Sequence, residues 1–124
     1  MKRDPMSIPV SELVERAKSH CDCMDPVAAK MFYDRHDDAV IIDVREPGEA
    51  EETKLNDSSN IPRGLLEMKI ANVCSEDNTP ILLHCAAGGR ASLSAHTLEM
   101  MGYSNVHVID AKFDAIKSAF DLSD

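Results

Sequence analysis

The sequence is short of positive charge: 13 Lys plus Arg stand against 22 Asp plus Glu, a formal net charge of −9 with the histidines neutral. Affinity for a polyanion rests on Lys and Arg neutralising phosphates, so nucleic acid is not an expected partner, nor is an anionic membrane surface. Long apolar runs are missing as well. The longest is Ala39-Val40-Ile41-Ile42, far below the length that spans a bilayer. Met1-Lys2-Arg3-Asp4-Pro5 starts basic but leads into no signal-peptide hydrophobic stretch. Five glycines and six prolines exclude collagen-like and linker-like chains, and four cysteines are too few for a secreted disulfide scaffold. A reducing compartment, the cytoplasm, is therefore expected. What remains is 124 residues at 44% hydrophobic and 28% charged, enough for one folded domain with its own core.

Neither internal repeats nor low-complexity segments are visible. Ser11 is placed to cap a first helix running to about His20, with Leu13, Val14, Ala17 and Cys21 at a 3.6-residue period and Glu12 four residues before Arg16. Asp25-Pro26 signals a second start, a cap residue followed by proline at the first helical position. Val27, Ala28, Met31 and Phe32 then share a side up to about Asp34. Ala39 to Val44, Ile81 to Cys85 and Val106 to Ile109 are short, nearly continuous apolar runs rich in β-branched residues, the mark of parallel strands buried on both faces. Between the last two, Arg90 to Met101 is helical in pattern, with Ala91, Ala95 and Leu98 on one face and Gly102 as a stop. A final helix is expected from about Ala111 to Phe120. Strands alternating with helices predict an α/β fold with a parallel sheet and right-handed crossovers. Glu49 to Asp57 is acidic and unperiodic, and its structure stays open.

Ligands of an open parallel sheet bind beyond the carboxyl ends of its strands. One predicted strand ends in Cys85-Ala86-Ala87-Gly88-Gly89-Arg90, another in Asp43-Val44-Arg45-Glu46. Cys85 would sit at the floor of a short loop leading into a helix. Gly88 and Gly89 would let backbone amides converge on its sulfur, and amides plus helix dipole favour the thiolate. Arg90, a cation in the first helical turn, opposes that dipole and calls for an anion: Asp43, Glu46 or a bound substrate. The plain alternative is an inert core cysteine in a tight turn.

At this point the residues resemble the single-domain rhodaneses, sulfurtransferases that carry sulfane sulfur as a cysteine persulfide. The resemblance rests on Ile41-Ile42-Asp43-Val44-Arg45-Glu46-Pro47-Gly48-Glu49, Asn60-Ile61-Pro62-Arg63-Gly64, and Leu82-Leu83-His84-Cys85-Ala86-Ala87-Gly88-Gly89-Arg90-Ala91-Ser92. Gly102-Tyr103 and the Val106 to Ile109 run continue it, so that it covers roughly Asp25 to Phe120. It implies a three-layer α/β/α fold, a parallel sheet flanked by helices on both faces. Residues 25–124 would form the rhodanese-like domain, with residues 1–24 as an extra N-terminal helical extension.

By the same resemblance Cys85 is the nucleophile, taking the outer sulfur of thiosulfate or a similar donor, releasing sulfite, and handing the sulfur to cyanide or a thiol. Ala86, Ala87, Gly88, Gly89 and Arg90 would bind substrate, Arg90 holding the donor's sulfonate or bracing the loop. Asp43 and Arg45 would support the loop through a buried ion pair, and Arg63 is a candidate for the pocket rim, with a surface arginine as the commoner explanation. The expected partners are a small anionic sulfur donor and a cyanide or thiol acceptor, with a sulfur-accepting protein as a further candidate. No cofactor beyond the covalent persulfide, and no metal, is expected. The sequence departs from the family at Thr53-Lys54-Leu55-Asn56-Asp57-Ser58, where many members carry Gly-His-Ile-Pro-Gly-Ala.

Two rival functions share these residues. Phosphatases and arsenate reductases of this architecture place five residues between cysteine and arginine, whereas only the four from Ala86 to Gly89 intervene here, a ring better suited to sulfur than to phosphate. A non-enzymatic relay module that passes persulfide sulfur between proteins would need the same cradle. Cys21-Asp22-Cys23 lacks the second pair that structural zinc normally takes, so these thiols are expected to pack between the first two helices or to leave one near the surface. Cys74 is expected in the core. His84 should point away from Cys85, as neighbours along a strand do. His36, His96 and His107 carry no informative context. The seven methionines are expected as core filler and not as a metal site.

Overall fold

A computed structural model describes residues 7–121; the basic Met1 to Pro5 start lies outside them. Five strands form one wholly parallel sheet: β1 (Asp22–Met24), β2 (Val40–Asp43), β3 (Ser58–Asn60), β4 (Ile81–His84) and β5 (Val106–Ile109), in the order β1-β5-β4-β2-β3. Six α-helices surround it, α1 (Val10–His20), α2 (Pro26–Arg35), α3 (Pro47–Glu52), α4 (Leu66–Lys69), α5 (Gly89–Met100) and α6 (Phe113–Asp121), with short 3-10 turns at Arg63–Leu65 and Ile70–Asn72.

The alternation of strand side chains divides the core into two layers. Ile42, Val44, Ile81, Leu83, Cys85, Val106 and Val108 face Leu66 and Ile70 and the Ala91, Ala95, Leu98 stripe of α5. Ile41, Leu82 and Ile109 face the opposite way, onto Ala29 of α2 and Phe113 and Ile116 of α6. Helices therefore cover both faces, as expected, and α1 adds a further piece by burying Ala17 alongside α5.

Several element ends differ from expectation. The N-cap of α1 is Pro9, so Ser11 lies inside the helix and makes no cap bond, while the Arg16–Glu12 pair forms at 2.6 Å. Asp25 does cap α2, accepting the Ala28 N–H at 2.8 Å. α5 closes at Gly102 (φ +106°), whose N–H reaches Glu99 O while Tyr103 N–H reaches Leu98 O, a paired closure of the last turn. α6 starts at Phe113, two residues later than expected. The open acidic segment contains α3, begun by Pro47 and by Glu49 accepting the Glu46 N–H at 2.9 Å. The edge strands β1 and β3 are three polar or mixed residues each, with no apolar run to signal them. β1 is tied to β5 by Asp22 and His107, 2.6 Å apart, which gives His107 a structural context.

Candidate active site

β4 ends at His84, and the chain turns at once into the loop Cys85 to Gly88 that opens α5. Cys85 Sγ lies on the floor, only 1% exposed, and accepts hydrogen bonds from the N–H groups of Gly88 (3.1 Å) and Ala91 (3.3 Å). The convergence depends on Gly88, which has φ +102°, a left-handed conformation costly for residues with a side chain. A Cβ there would also collide with Asp110 Oδ1. Ser92 fixes the other end of the loop, its N–H and hydroxyl both donating to Gly88 O at 2.9 and 2.7 Å. Ala86 O accepts the Phe113 N–H at 2.9 Å, joining the loop to the start of α6. Two amides and a helix N-terminus aimed at one sulfur stabilise negative charge on it.

The two amides on the sulfur are thus Gly88 and Ala91. Ala91 lies one residue beyond the stretch singled out from the sequence, because the first turn of α5, and not only its preceding loop, faces the sulfur. Ala86, Ala87 and Gly89 shape the ring around it. Arg90 projects sideways and binds Glu49 in a two-point fork, at 2.8 and 3.1 Å. The compensating anion is therefore Glu49, where Asp43, Glu46 or a bound substrate was expected. The correction comes from α3, whose existence the sequence left open: its first turn aims Glu49 at α5. The Arg90 hydrogen bonds, helped by the Glu46 amide, hold the Glu49 carboxyl down at about 2, and Glu49 in turn pushes the Arg90 pKa up. The Glu-Pro-x-Glu order at 46–49 is the signal that could have revealed this helix start.

Asp43 and Arg45 form a buried ion pair at 2.8 Å, and Asp43 also accepts the Arg45 N–H at 3.0 Å. The Arg45 guanidinium stacks 4.0 Å from the Phe113 ring centroid and donates to Thr53 O at 2.7 Å. Asn60 Nδ2 donates to the carbonyls of both Asp43 and Arg45 at 2.9 Å. The pair thus braces the ends of β2 and β3 and, through Phe113, the far side of the Cys85 loop. Because Thr53 contributes only its carbonyl and Leu55 is buried, the 53–58 segment makes these contacts without the residues usual in the family.

His84 does point away from Cys85, into the layer of Phe113, whose ring centroid is 5.5 Å from its own. It lies beside Asp43 in the sheet register, fully buried, and neither ring nitrogen has a hydrogen-bond partner. Burial pulls its pKa down to about 4, against a partial upward pull from Asp43. Arg63 is not at the Cys85 loop. Its guanidinium is held by Glu67 at 3.3 Å and Thr97 at 3.0 Å, and it lines a separate groove of about 440 Å³ with Leu13 and His20 of α1 and His96 of α5. The reason is the turn at Arg63–Leu65, which directs the side chain along α5 and away from its N-terminus.

Cys21 packs against α5, its thiol 3.6 Å from Ser92 O, and not between α1 and α2; burial pushes its pKa up to about 11. Cys23 is exposed on β1, and Cys74 is buried in the core. Among the described residues, no cluster of His, Cys, Asp and Glu is placed to hold a metal, and no helix is long and apolar enough to cross a membrane.

The chain shares its fold with known proteins. The profile of the rhodanese-like domain matches residues 28–119. The chain belongs to the rhodanese-like domain family. A Rhodopseudomonas palustris protein of unknown function, described as a possible tyrosine phosphatase, is 26% identical with a TM-score of 0.81 over 96% of each chain. A polysulfide-sulfur transferase homodimer from Wolinella succinogenes is 24% identical, with a TM-score of 0.71 over 85% of this chain and 79% of that one, and shares the fold. A rhodanese with anions from E. coli is 26% identical, with a TM-score of 0.58 over 61% of this chain and 89% of that one. No curated protein sequence matches the chain. Membership of the rhodanese-like family supports a role in sulfur transfer, with one phosphatase-like neighbour beside it.

Proposed function

We propose that this rhodanese-like chain is a sulfurtransferase that moves sulfane sulfur from thiosulfate or a similar donor to cyanide or a thiol through a persulfide on Cys85. The observation that carries the reading is the pair of amides, Gly88 and Ala91, aimed at a sulfur on the floor of a ring. In the first half-reaction the Cys85 thiolate attacks the outer sulfur of the donor. A new S–S bond forms, the donor's own S–S bond breaks, and its electron pair leaves with sulfite. Charge balances without an external oxidant, because the transferred sulfur already has the oxidation state of the persulfide's outer atom. The two amides stabilise the charge on the thiolate, a task akin to an oxyanion hole. In the second half-reaction cyanide or a thiolate attacks the outer sulfur and Cys85 leaves as thiolate. Two half-reactions through a covalent intermediate give ping-pong kinetics.

The 1% exposure of Cys85 favours a donor that presents a single terminal sulfur over a tetrahedral phosphate. Phosphatase chemistry remains the second reading because of the full-length Rhodopseudomonas likeness, but the ring of Ala86 to Gly89 is one residue shorter than that chemistry uses. The test is steady-state turnover of thiosulfate with cyanide beside turnover of an aryl phosphate. Thiocyanate formation abolished by Cys85→Ser is expected. Aryl phosphate hydrolysis abolished by the same substitution, without thiocyanate formation, overturns the proposal.

A further inference from the structure

The N-terminal helix places a side chain beside the Cys85 loop through Asp110. Lys18, near the end of α1, lies 3.3 Å from Asp110 Oδ1, and Asp110 is the first residue after β5. The Asp110 carboxylate rests against Gly88, in the space that a Cβ would need. Both side chains are about one-third exposed, at 30% and 33%, so their charges are open to solvent beside the loop. On the other side of the ring, the Arg90 fork is taken by Glu49. Glu46 is also near enough to raise the Arg90 pKa by its charge. The ring residues Ala86, Ala87, Gly88 and Gly89 add no cation. The charged groups beside this loop thus include the cations Arg90 and Lys18 and the carboxylates Glu46, Glu49 and Asp110, with the exposed Lys112 next to Phe113, whose N–H binds Ala86 O.

We propose that Asp110 and Lys18 set the donor class of this site, selecting sulfane-sulfur donors of single or no negative charge over dianions such as thiosulfate, with Asp110 as the discriminating charge and Lys18 as its partial neutraliser. The proposal rests on the sulfurtransferase reading and narrows its substrate. Lys18 lies outside the stretch that matches the family profile and Asp110 inside it, so the N-terminal helix contributes the neutralising charge and not the discriminating one. Coulomb energy scales with the donor's charge, so a carboxylate at the mouth repels a dianion twice as strongly as a monoanion, and the fold-changes stand as a square.

The test follows sulfur loading of Cys85 by intact mass spectrometry in single turnover. Thiosulfate, a dianion, is compared with benzenethiosulfonate, a monoanion that gives up the same terminal sulfur and leaves as sulfinate. Asp110→Asn should raise the second-order loading rate about threefold for the monoanion and about tenfold for thiosulfate at low salt. Lys18→Met should lower both in the same order, and Lys18→Arg should restore them. At molar salt the difference between the two donors should collapse, since exposed charges are then screened. Equal factors for the two donors, or no change with either variant, overturns the proposal while leaving the sulfurtransferase reading standing. Failure of Cys85 in the unsubstituted protein to load from either donor overturns that reading and this proposal with it.

Discussion

At the scale of single residues, Gly88 and His84 carry the most. Gly88 combines a left-handed backbone with a carboxylate where a side chain would go, and its N–H is one of the two bonds to Cys85. Gly88→Ala is expected to cost about 1–3 kcal/mol of stability and to slow sulfur loading by more than tenfold, as followed by thermal unfolding and by mass spectrometry. His84 is buried without a partner on either nitrogen, and its pKa in the folded chain, about 4, lies below its ordinary 6.5. Between these values the unfolded chain binds more protons than the folded one, so the stability held with neutral His84 is complete above pH 6.5 and is lost as pH falls toward 4. The loss at pH 4 is on the order of 3 kcal/mol. His84→Leu, with no proton to take up, should flatten this part of the pH profile in denaturant titrations; an unchanged slope between pH 6.5 and 4 would contradict the assignment. Sequence alone placed His84 facing away from Cys85, but not its proximity to Asp43, which only the pairing of β2 with β4 creates.

At the scale of elements, the parts with a strong local pattern were legible and those made by tertiary contact were not. α2 shows its start in Asp25-Pro26, and Asp25→Ala should cost about 1 kcal/mol in urea unfolding by leaving the Ala28 N–H without its acceptor. β2, β4 and β5 are apolar runs buried on both faces, and their strand identity follows from composition. β1 and β3 have no such runs; they are strands because β5 and β2 offer them parallel edges, as the Cys23–Val108 and Ser59–Ile42 pairings record. α3 holds one hydrophobic residue, the buried Ala50, too few to show a period, so Glu49 and its fork to Arg90 stayed hidden although the need for an anion beside Arg90 was plain from its place in the first turn of α5. Arg63 lies away from the pocket rim for a related reason. Its neighbours in sequence lie near the strand ends, but the turn at Arg63–Leu65 carries its side chain along α5 to Thr97.

At the scale of the whole molecule, the deficit of positive charge and the proposed sulfur-carrying loop at Cys85 belong together. The excess of Asp and Glu that speaks against a polyanionic partner is repeated locally, where Asp110 lies against Gly88 and Glu49 and Glu46 lie near Arg90, beside a ring whose own residues carry no cation before Arg90. Two packed layers on a parallel sheet hold β4 at the centre, so that Cys85 leaves the most constrained strand directly into the helix that supplies Ala91. The central claim is that this sulfur becomes a persulfide. Intact mass spectrometry of the full chain after incubation with a sulfane donor, followed by peptide mapping, tests it most directly. One added sulfur atom is expected, located on Cys85 and not on Cys21, Cys23 or Cys74, and removed by cyanide. A chain that gains no sulfur on Cys85 from any sulfane donor would contradict it.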